Sequence, residues 1–320
     1  MSNDFFSKLN GLDLQQLLYE IDNTLIEYRD TLNLPMYLTF GTELEYEGIK
    51  EKSVSKFIKK YDEWKSKKDL SIDVGGEIIS PIMYDDIKYW NELKEICKYL
   101  KKKNVDTSKN AGGHIHIGAN VLGSEMNNWL TLIKLYTIYE RILFRFAYGD
   151  KLSKREVLMD FASPSSYDLY KILDKIEKTS NVCDLYMFLH SKNKNDSINF
   201  NNVDFYNADK LWDMNTIEFR FPNASSNEII WQNNINTLSK MLLSCKMNVI
   251  DIDFLNYKLD KEYSKDIYLY NEIILKDALE FVYIIFDNNL DKIYFLIQYL
   301  KRFQDNYNLK FAVKCKKITR

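Results

Sequence analysis

Phe40-Gly41-Thr42-Glu43-Leu44-Glu45-Tyr46, Gly112-Gly113-His114-Ile115-His116-Ile117 and Thr216-Ile217-Glu218-Phe219-Arg220-Phe221 share one pattern. Each places two ionisable or ligand-type side chains at i and i+2, with apolar residues between and beside them. In extended chain such residues project to the same face. The pattern therefore predicts three strands, each with one face on a core and the other in a polar site. Three carboxylates, two imidazoles and a guanidinium on one sheet face repel or desolvate one another unless a metal ion and an anionic ligand join them. The chemistry implied is that of an enzyme handling metal ions and phosphate.

Taken singly, the motifs admit blander readings. Glu43-x-Glu45 also fits an edge strand with solvent-facing glutamates. Glu77, in Gly75-Gly76-Glu77-Ile78-Ile79-Ser80-Pro81, lies among apolar residues. A carboxylate there needs a partner, either a metal or a buried salt bridge. His114-x-His116 takes two of the three histidines. That spacing also occurs in zinc hydrolases, whose sites want a further His or Cys. His190 lies in a polar segment, and Cys97, Cys183, Cys245 and Cys315 are scattered with no CxxC pair. A shell rich in carboxylates better suits Mg²⁺ or Mn²⁺. Glu218-Phe219-Arg220 reads either as an ion pair of little value at a surface or as a guanidinium set to neutralise a transferring phosphoryl group.

Around these strands the periodicity is mostly helical. Leu14, Leu17, Leu18, Ile21, Leu25 and Tyr28 predict a helix over 12–32, ended by Pro35. Further helices are expected over 54–64, 85–103, 126–148, 167–177 and 226–247, and two or three in the tail from 264 to 305. Strands are expected over 37–47, 72–81, 114–117, 197–201 and 216–221. No glycine-rich nucleotide loop of the Rossmann or P-loop kind is present. The expected fold class is α+β, an antiparallel or mixed sheet with helices on one face. It divides into an N-terminal helical segment (1–36), a catalytic domain (37–249) and a C-terminal helical extension (250–320). The extension carries no ligand-type cluster, so packing or homo-oligomerisation is its expected role.

The chain's 320 residues are 46% hydrophobic and 28% charged, ample for a large core. A formal net charge of -2 gives no reason to expect nucleic acid or an anionic membrane as partner. No run of eighteen apolar residues marks a membrane span, and the first ten residues have no apolar stretch of signal-peptide length. A cytoplasmic location with reduced thiols is the expectation.

In order and spacing, the strings Phe40–Glu45, Gly76-Glu77-Ile78-Ile79-Ser80-Pro81, Gly112–Ile117 and Thr216–Phe221 resemble the amidoligase family. That family stands with glutamine synthetase and glutamate–cysteine ligase in the carboxylate–amine ligase superfamily. The run Ile217–Pro222 followed by Ala224-Ser225-Ser226-Asn227 is similar to the synthetase pattern around its last metal glutamate and catalytic arginine. The resemblance covers about residues 37–245. It implies a curved, mainly antiparallel sheet of the glutamine-synthetase catalytic type. It implies two or more Mg²⁺ or Mn²⁺ ions held by Glu43, Glu45, Glu77, His114 and Glu218, with His116 and Arg220 on ATP as catalytic residues. Asn199 matches a family asparagine at the nucleotide, and Asp69 and Ser71 look like the family's Asp-x-Ser segment. The activity implied is ATP-dependent joining of a carboxylate to an amine through an acyl phosphate, on amino-acid, peptide or protein substrates. The segment 150–195 is the expected lid. The rivals are a divalent-metal hydrolase of amides or phosphate esters and a non-catalytic binding module on a decayed ligase fold.

Overall fold

The structure, a computed structural model, describes residues 11–69, 71–105, 111–148, 158–190, 193–211, 215–259, 261–266, 270 and 273–300. Cys315 and the end of the tail after 300 lie outside them, as does part of the expected lid. The described chain is α+β, around one six-stranded antiparallel sheet. Its strands are β1 (Phe40–Glu47), β2 (Lys65–Lys67), β3 (Gly75–Ile79), β4 (Gly113–Gly118), β5 (Ile198–Asn199) and β6 (Thr216–Phe219), in the order β2-β3-β1-β4-β6-β5. The helices are α1 (Gly11–Asn23), α2 (Glu51–Ile58), α3 (Ile87–Lys102), α4 (Met126–Tyr148), α5 (Leu158–Phe161), α6 (Ser166–Glu177), α7 (Tyr186–Leu189), α8 (Glu228–Lys246), α9 (Ile252–Lys258), α10 (Leu275–Ile285) and α11 (Asn289–Tyr299).

The alternation in the strands sorts the sheet into two faces. Leu44, Ile78, Ile115, Ile117, Ile217 and Phe219 are fully or almost fully buried on one of them. Helices cover that face. Trp90 of α3 stacks on Phe40 at 5.1 Å, and Tyr136 of α4 meets Phe219 at 6.3 Å. Trp231 of α8 comes so close to β4 that a Cβ on Gly113 would lie 2.9 Å from its ring, which leaves room for glycine alone. The later helices extend this layer: Phe295 of α11 stacks on Phe146 at 4.4 Å, and Phe281 of α10 sits 5.3 Å from Tyr139.

Helix ends follow local chemistry. Asp86 caps α3 by accepting from the Lys88 amide at 2.7 Å, and Asn227 caps α8 by accepting from the Ile229 amide at 3.0 Å. Asn104, at φ 51°, closes α3 in the left-handed region, with Val105 N on Leu100 O at 3.2 Å and Asn104 N on Lys101 O at 3.1 Å.

The structure departs from the sequence reading at several places: the helix expected over 54–64 is Glu51–Ile58, α5, α7 and α9 have no counterpart in that reading, and two further departures have a clear physical cause. The first helix stops at Asn23 rather than running to 32. Beyond it the backbone amides bond to side chains instead of continuing the helix. Glu27 N donates to Tyr294 Oη, Arg29 N to Gln232 Oε1, and Leu32 N and Leu34 N to the Asp85 carboxylate. Those distant acceptors outweigh the apolar spacing of Leu25 and Tyr28, a tertiary override of local pattern. The second departure is β2, absent from the sequence reading. Its three residues, Lys65-Ser66-Lys67, have no apolar alternation and hold their place by pairing with β3.

Candidate active site

Register brings the sequence motifs together. Glu45 of β1 stands opposite Glu77 of β3, and Glu43 stands opposite His114 of β4. His116 stands opposite Glu218 of β6, which in turn faces Asn199 of β5. Directly opposed residues share a face. The carboxylates and imidazoles named from the sequence therefore occupy the sheet face away from α3, α4 and α8, in the arrangement that the i, i+2 spacing predicts.

His114 Nδ1 lies 2.9 Å from Glu43 Oε2 and 3.7 Å from Glu218 Oε1, and its Nε2 is 3.7 Å from Glu45 Oε1. His116 Nε2 is 3.5 Å from Glu43 Oε1, while its Nδ1 approaches Thr216 Oγ1 at 3.3 Å. Arg220 Nη1 donates to Glu218 Oε1. Glu45 Oε2 accepts from the Gly112 amide at 2.5 Å. A Cβ on Gly112 would stand 3.1 Å from His114 Nε2 and 3.3 Å from that same oxygen, so the diglycine before β4 lets the backbone approach the carboxylate. Glu77 is held by Lys67 Nζ at 2.7 Å. Asn199 is buried and turned to its own loop: its Nδ2 donates to Lys194 O at 2.9 Å and its Oδ1 accepts from Asn201 N at 2.8 Å. His190, the third histidine, packs tilted against Tyr186 at 4.6 Å and takes no part.

Four carboxylates thus face two permanent cations, Arg220 and Lys67. Burial pushes the Glu43 carboxyl up, but the facing imidazoles of His114 and His116 outweigh it and hold the group far below the ordinary carboxylate range. Burial opposes charge on His116, yet Glu43 and Glu218 overcome it and raise the imidazole above its usual value. Glu77 is raised by burial, against the hydrogen bond from Lys67.

These residues fit a divalent cation. Glu43, His116 and Glu218 each offer a ligand atom, all within 4.8 Å of one another. His116 Nε2 is buried without a hydrogen-bond partner. With Nδ1 engaged by Thr216, a bare Nε2 lone pair would face two carboxylates. A proton or a metal ion relieves that contact. A cavity of about 610 Å³ opens against the same spot, lined by Gly41, Glu43, His116 and Thr216 on the sheet and by Lys65 and Tyr84 at its side.

A family model described as "putative amidoligase enzyme" matches residues 55–242. The chain belongs to that family. The matched span holds Glu77, His114, His116, Asn199, Glu218 and Arg220. Glu43 and Glu45 precede it, and the pairing of β1 between β3 and β4 sets them beside Glu77 and His114. Among curated proteins none matches the chain.

Several residues that shape the site escape a sequence reading. Lys67 sits in a strand without apolar alternation. Thr216 is a strand-initial residue whose role rests on its register with Gly118. Phe161 contributes only its carbonyl, which accepts from Arg220 Nε at 3.2 Å.

Proposed function

We propose that this amidoligase joins a carboxylate to an amine, converting the carboxylate to an acyl phosphate with ATP and releasing ADP and phosphate. The observation that carries the reading is the convergence of Glu43, His116, Glu218 and Arg220 in a member of this family, with Glu43 and His116 lining one cavity. The curved catalytic sheet of the glutamine synthetase type is part of the same proposal.

Glu43, Glu45, Glu77, His114, His116 and Glu218 would hold two or more Mg²⁺ or Mn²⁺ ions. When bound, these ions neutralise phosphate oxygens and orient the reacting groups. Arg220 would face the transferring phosphoryl group. Its guanidinium matches spread oxyanion charge, and Glu218 and Phe161 O already orient it. His116 would stand at the nucleotide side, where Ile79, Ile82, Tyr84 and Leu211 give the cavity apolar walls for a base. The helix-covered face of the sheet keeps water from one side of the site. The described part of the segment 150–195 is a fixed wall rather than a lid, since Ser165 and Ser166 are buried and bonded to Glu140. Substrates of the amino-acid, peptide or protein class, and action within the cytoplasm, belong to this reading. Among the described residues no helix is long and apolar enough to cross a membrane.

The test is ADP release with Mg²⁺ over a panel of carboxylates and amines, with mass spectrometry of the product. An amide product with ADP is expected. AMP and pyrophosphate would signal an adenylating enzyme. Bond cleavage by water without ATP, abolished by Glu43→Ala and His116→Ala, would replace the ligase with a metallohydrolase.

A further inference from the structure

Glu140 of α4 has no solvent exposure and stands outside the polar face of the sheet. Its carboxylate is fully engaged. Oε1 accepts from Ser165 N at 2.6 Å and from Ser197 Oγ at 2.6 Å. Oε2 accepts from Ser166 N at 3.1 Å and from Tyr270 Oη at 3.0 Å. Ser197 Oγ in turn receives the Tyr136 hydroxyl at 2.8 Å and lies 2.9 Å from Ser165 Oγ.

Three stretches of chain are tied at this knot: 161–166, 195–199 and the C-terminal part at Tyr270. The first two are also laced by backbone bonds, Ser163 N to Asn195 O and Ser197 N to Ser163 O, each at 2.8 Å. Each of them delivers one carbonyl to Arg220. Ser197 O accepts from Arg220 N at 2.9 Å, and Phe161 O accepts from Arg220 Nε at 3.2 Å. A guanidinium is a rigid planar fork. With its Nε on Phe161 O and one Nη on Glu218, its plane is set. The backbone it hangs from is set by Ser197.

We infer that Glu140 is the positioning residue for Arg220, acting through Ser197 and the Phe161 carbonyl. This rests on the reading of Arg220 as the phosphate-facing cation. A carboxylate is required because all four partners are donors. A carboxamide would turn an NH₂ toward backbone amides that cannot reverse. Tyr270 extends the chain of contacts to the C-terminal helices. Lys265 on Asp168 and the ring pair of Tyr263 and Tyr170, 5.1 Å apart, hold the adjoining segment against α6. The C-terminal part therefore supports the orientation of Arg220 through Tyr270.

The experiment uses full-length protein labelled with ¹⁵N-arginine, with the Arg220 Nε–H resonance assigned by its loss in Arg220→Lys. Hydrogen exchange at that group is followed in Glu140→Gln and Tyr270→Phe, alongside ADP release and Mn²⁺ binding. Exchange should quicken about tenfold in Glu140→Gln and less in Tyr270→Phe. The kcat should fall with it, while KM for ATP and Mn²⁺ affinity stay within about twofold. Ile96→Ala, a core truncation in α3 outside this hydrogen-bond network, should leave the resonance unchanged. Unchanged exchange in the folded variants, or equal acceleration in Ile96→Ala, would overturn the assignment. If Glu140→Gln does not fold, Tyr270→Phe and Ser197→Ala decide the matter by the same readout. Exchange is read without substrate, so a wild-type protein that makes no ADP would defeat the ligase reading and leave this test standing.

Discussion

Glu140 and Glu43 are both carboxylates drawn out of water, and the chain treats them in opposite ways. Glu140 meets four donors, one for each direction in which it can accept. Glu43 shares its face with Glu45, Glu77 and Glu218 and leans on two imidazoles, one of whose nitrogens has no hydrogen-bond partner. A carboxylate satisfied from within fixes structure and asks nothing of solvent or ligand. A carboxylate whose charge is held by imidazoles loses that support when they shed their protons, and a bound cation can take their place. The contrast separates a part of this molecule that is finished on folding from a part whose donor set could hold a cation.

The comparison breaks most readily at Glu43 and Glu218. Glu43→Ala or Glu218→Ala should weaken Mn²⁺ binding by more than about 100-fold, read by calorimetry or paramagnetic relaxation, with a smaller loss of stability in the metal-free protein than Glu140→Ala. Glu140→Ala should do the reverse: a loss of about 3 kcal/mol in denaturant unfolding, because four donors lose their acceptor, with metal affinity almost unchanged in the folded fraction. Arg220→Lys keeps the charge and loses the fork. ADP formation should slow by about 100-fold while Mn²⁺ still binds, and an unaltered rate would remove Arg220 from the chemistry.

A smaller effect concerns pH. The imidazole of His116 is raised in the metal-free protein, so its charged form contributes stability that is fully present below the ordinary histidine value. That contribution is lost as pH rises through the raised one. Metal binding needs the neutral ring, so protons compete with the ion. The increase in Tm caused by Mn²⁺ should therefore grow from about pH 6 to about pH 8. His116→Gln should flatten that growth. The smallest effect is at Glu77, whose carboxyl is raised mainly by burial. Glu77→Gln should raise the Tm of the metal-free protein by no more than about 3 °C while weakening metal binding.

Much of the site was legible before the structure because a strand's period is two. Glu43 and Glu45, His114 and His116, and Glu218 and Arg220 could share a face only if their segments were extended, and Leu44, Ile115 and Phe219 said that they were. Family resemblance to the amidoligases then placed Glu77 with them, and β3 supplies it in register. The long helix over 126–148 was legible for a similar reason, since its apolar residues continue around the whole cylinder. That same feature held an unused signal. In a helix buried on nearly every side, Lys134, Glu140 and Arg145 had to find partners. Lys134 finds Glu177 at 2.6 Å, and Glu140 finds its four donors. What could not be read was which partners, because Ser165, Ser197 and Tyr270 are ordinary residues whose meeting depends on the fold. The early end of α1 and the pairing of β2 were hidden likewise, since both are decided by groups far away in the chain.

The segment between α1 and β1 carries a consequence for the order of assembly. Its amide at Glu27 waits for a tyrosine 267 residues later, and its amide at Arg29 for a glutamine 203 residues later. Gln232 returns a bond to Arg29 O at 2.6 Å, and Arg29 reaches Asp291 at 2.6 Å. Closing such long loops is favourable only once α8 and α11 already lie in place. This segment before β1 should therefore be among the last to settle, a latch fastened over a finished body. In a pulse-labelling experiment during refolding, the amides of Glu27, Arg29 and Leu32 should gain protection after those of α4, and early protection there would show that the N-terminal stretch docks before its distant partners arrive.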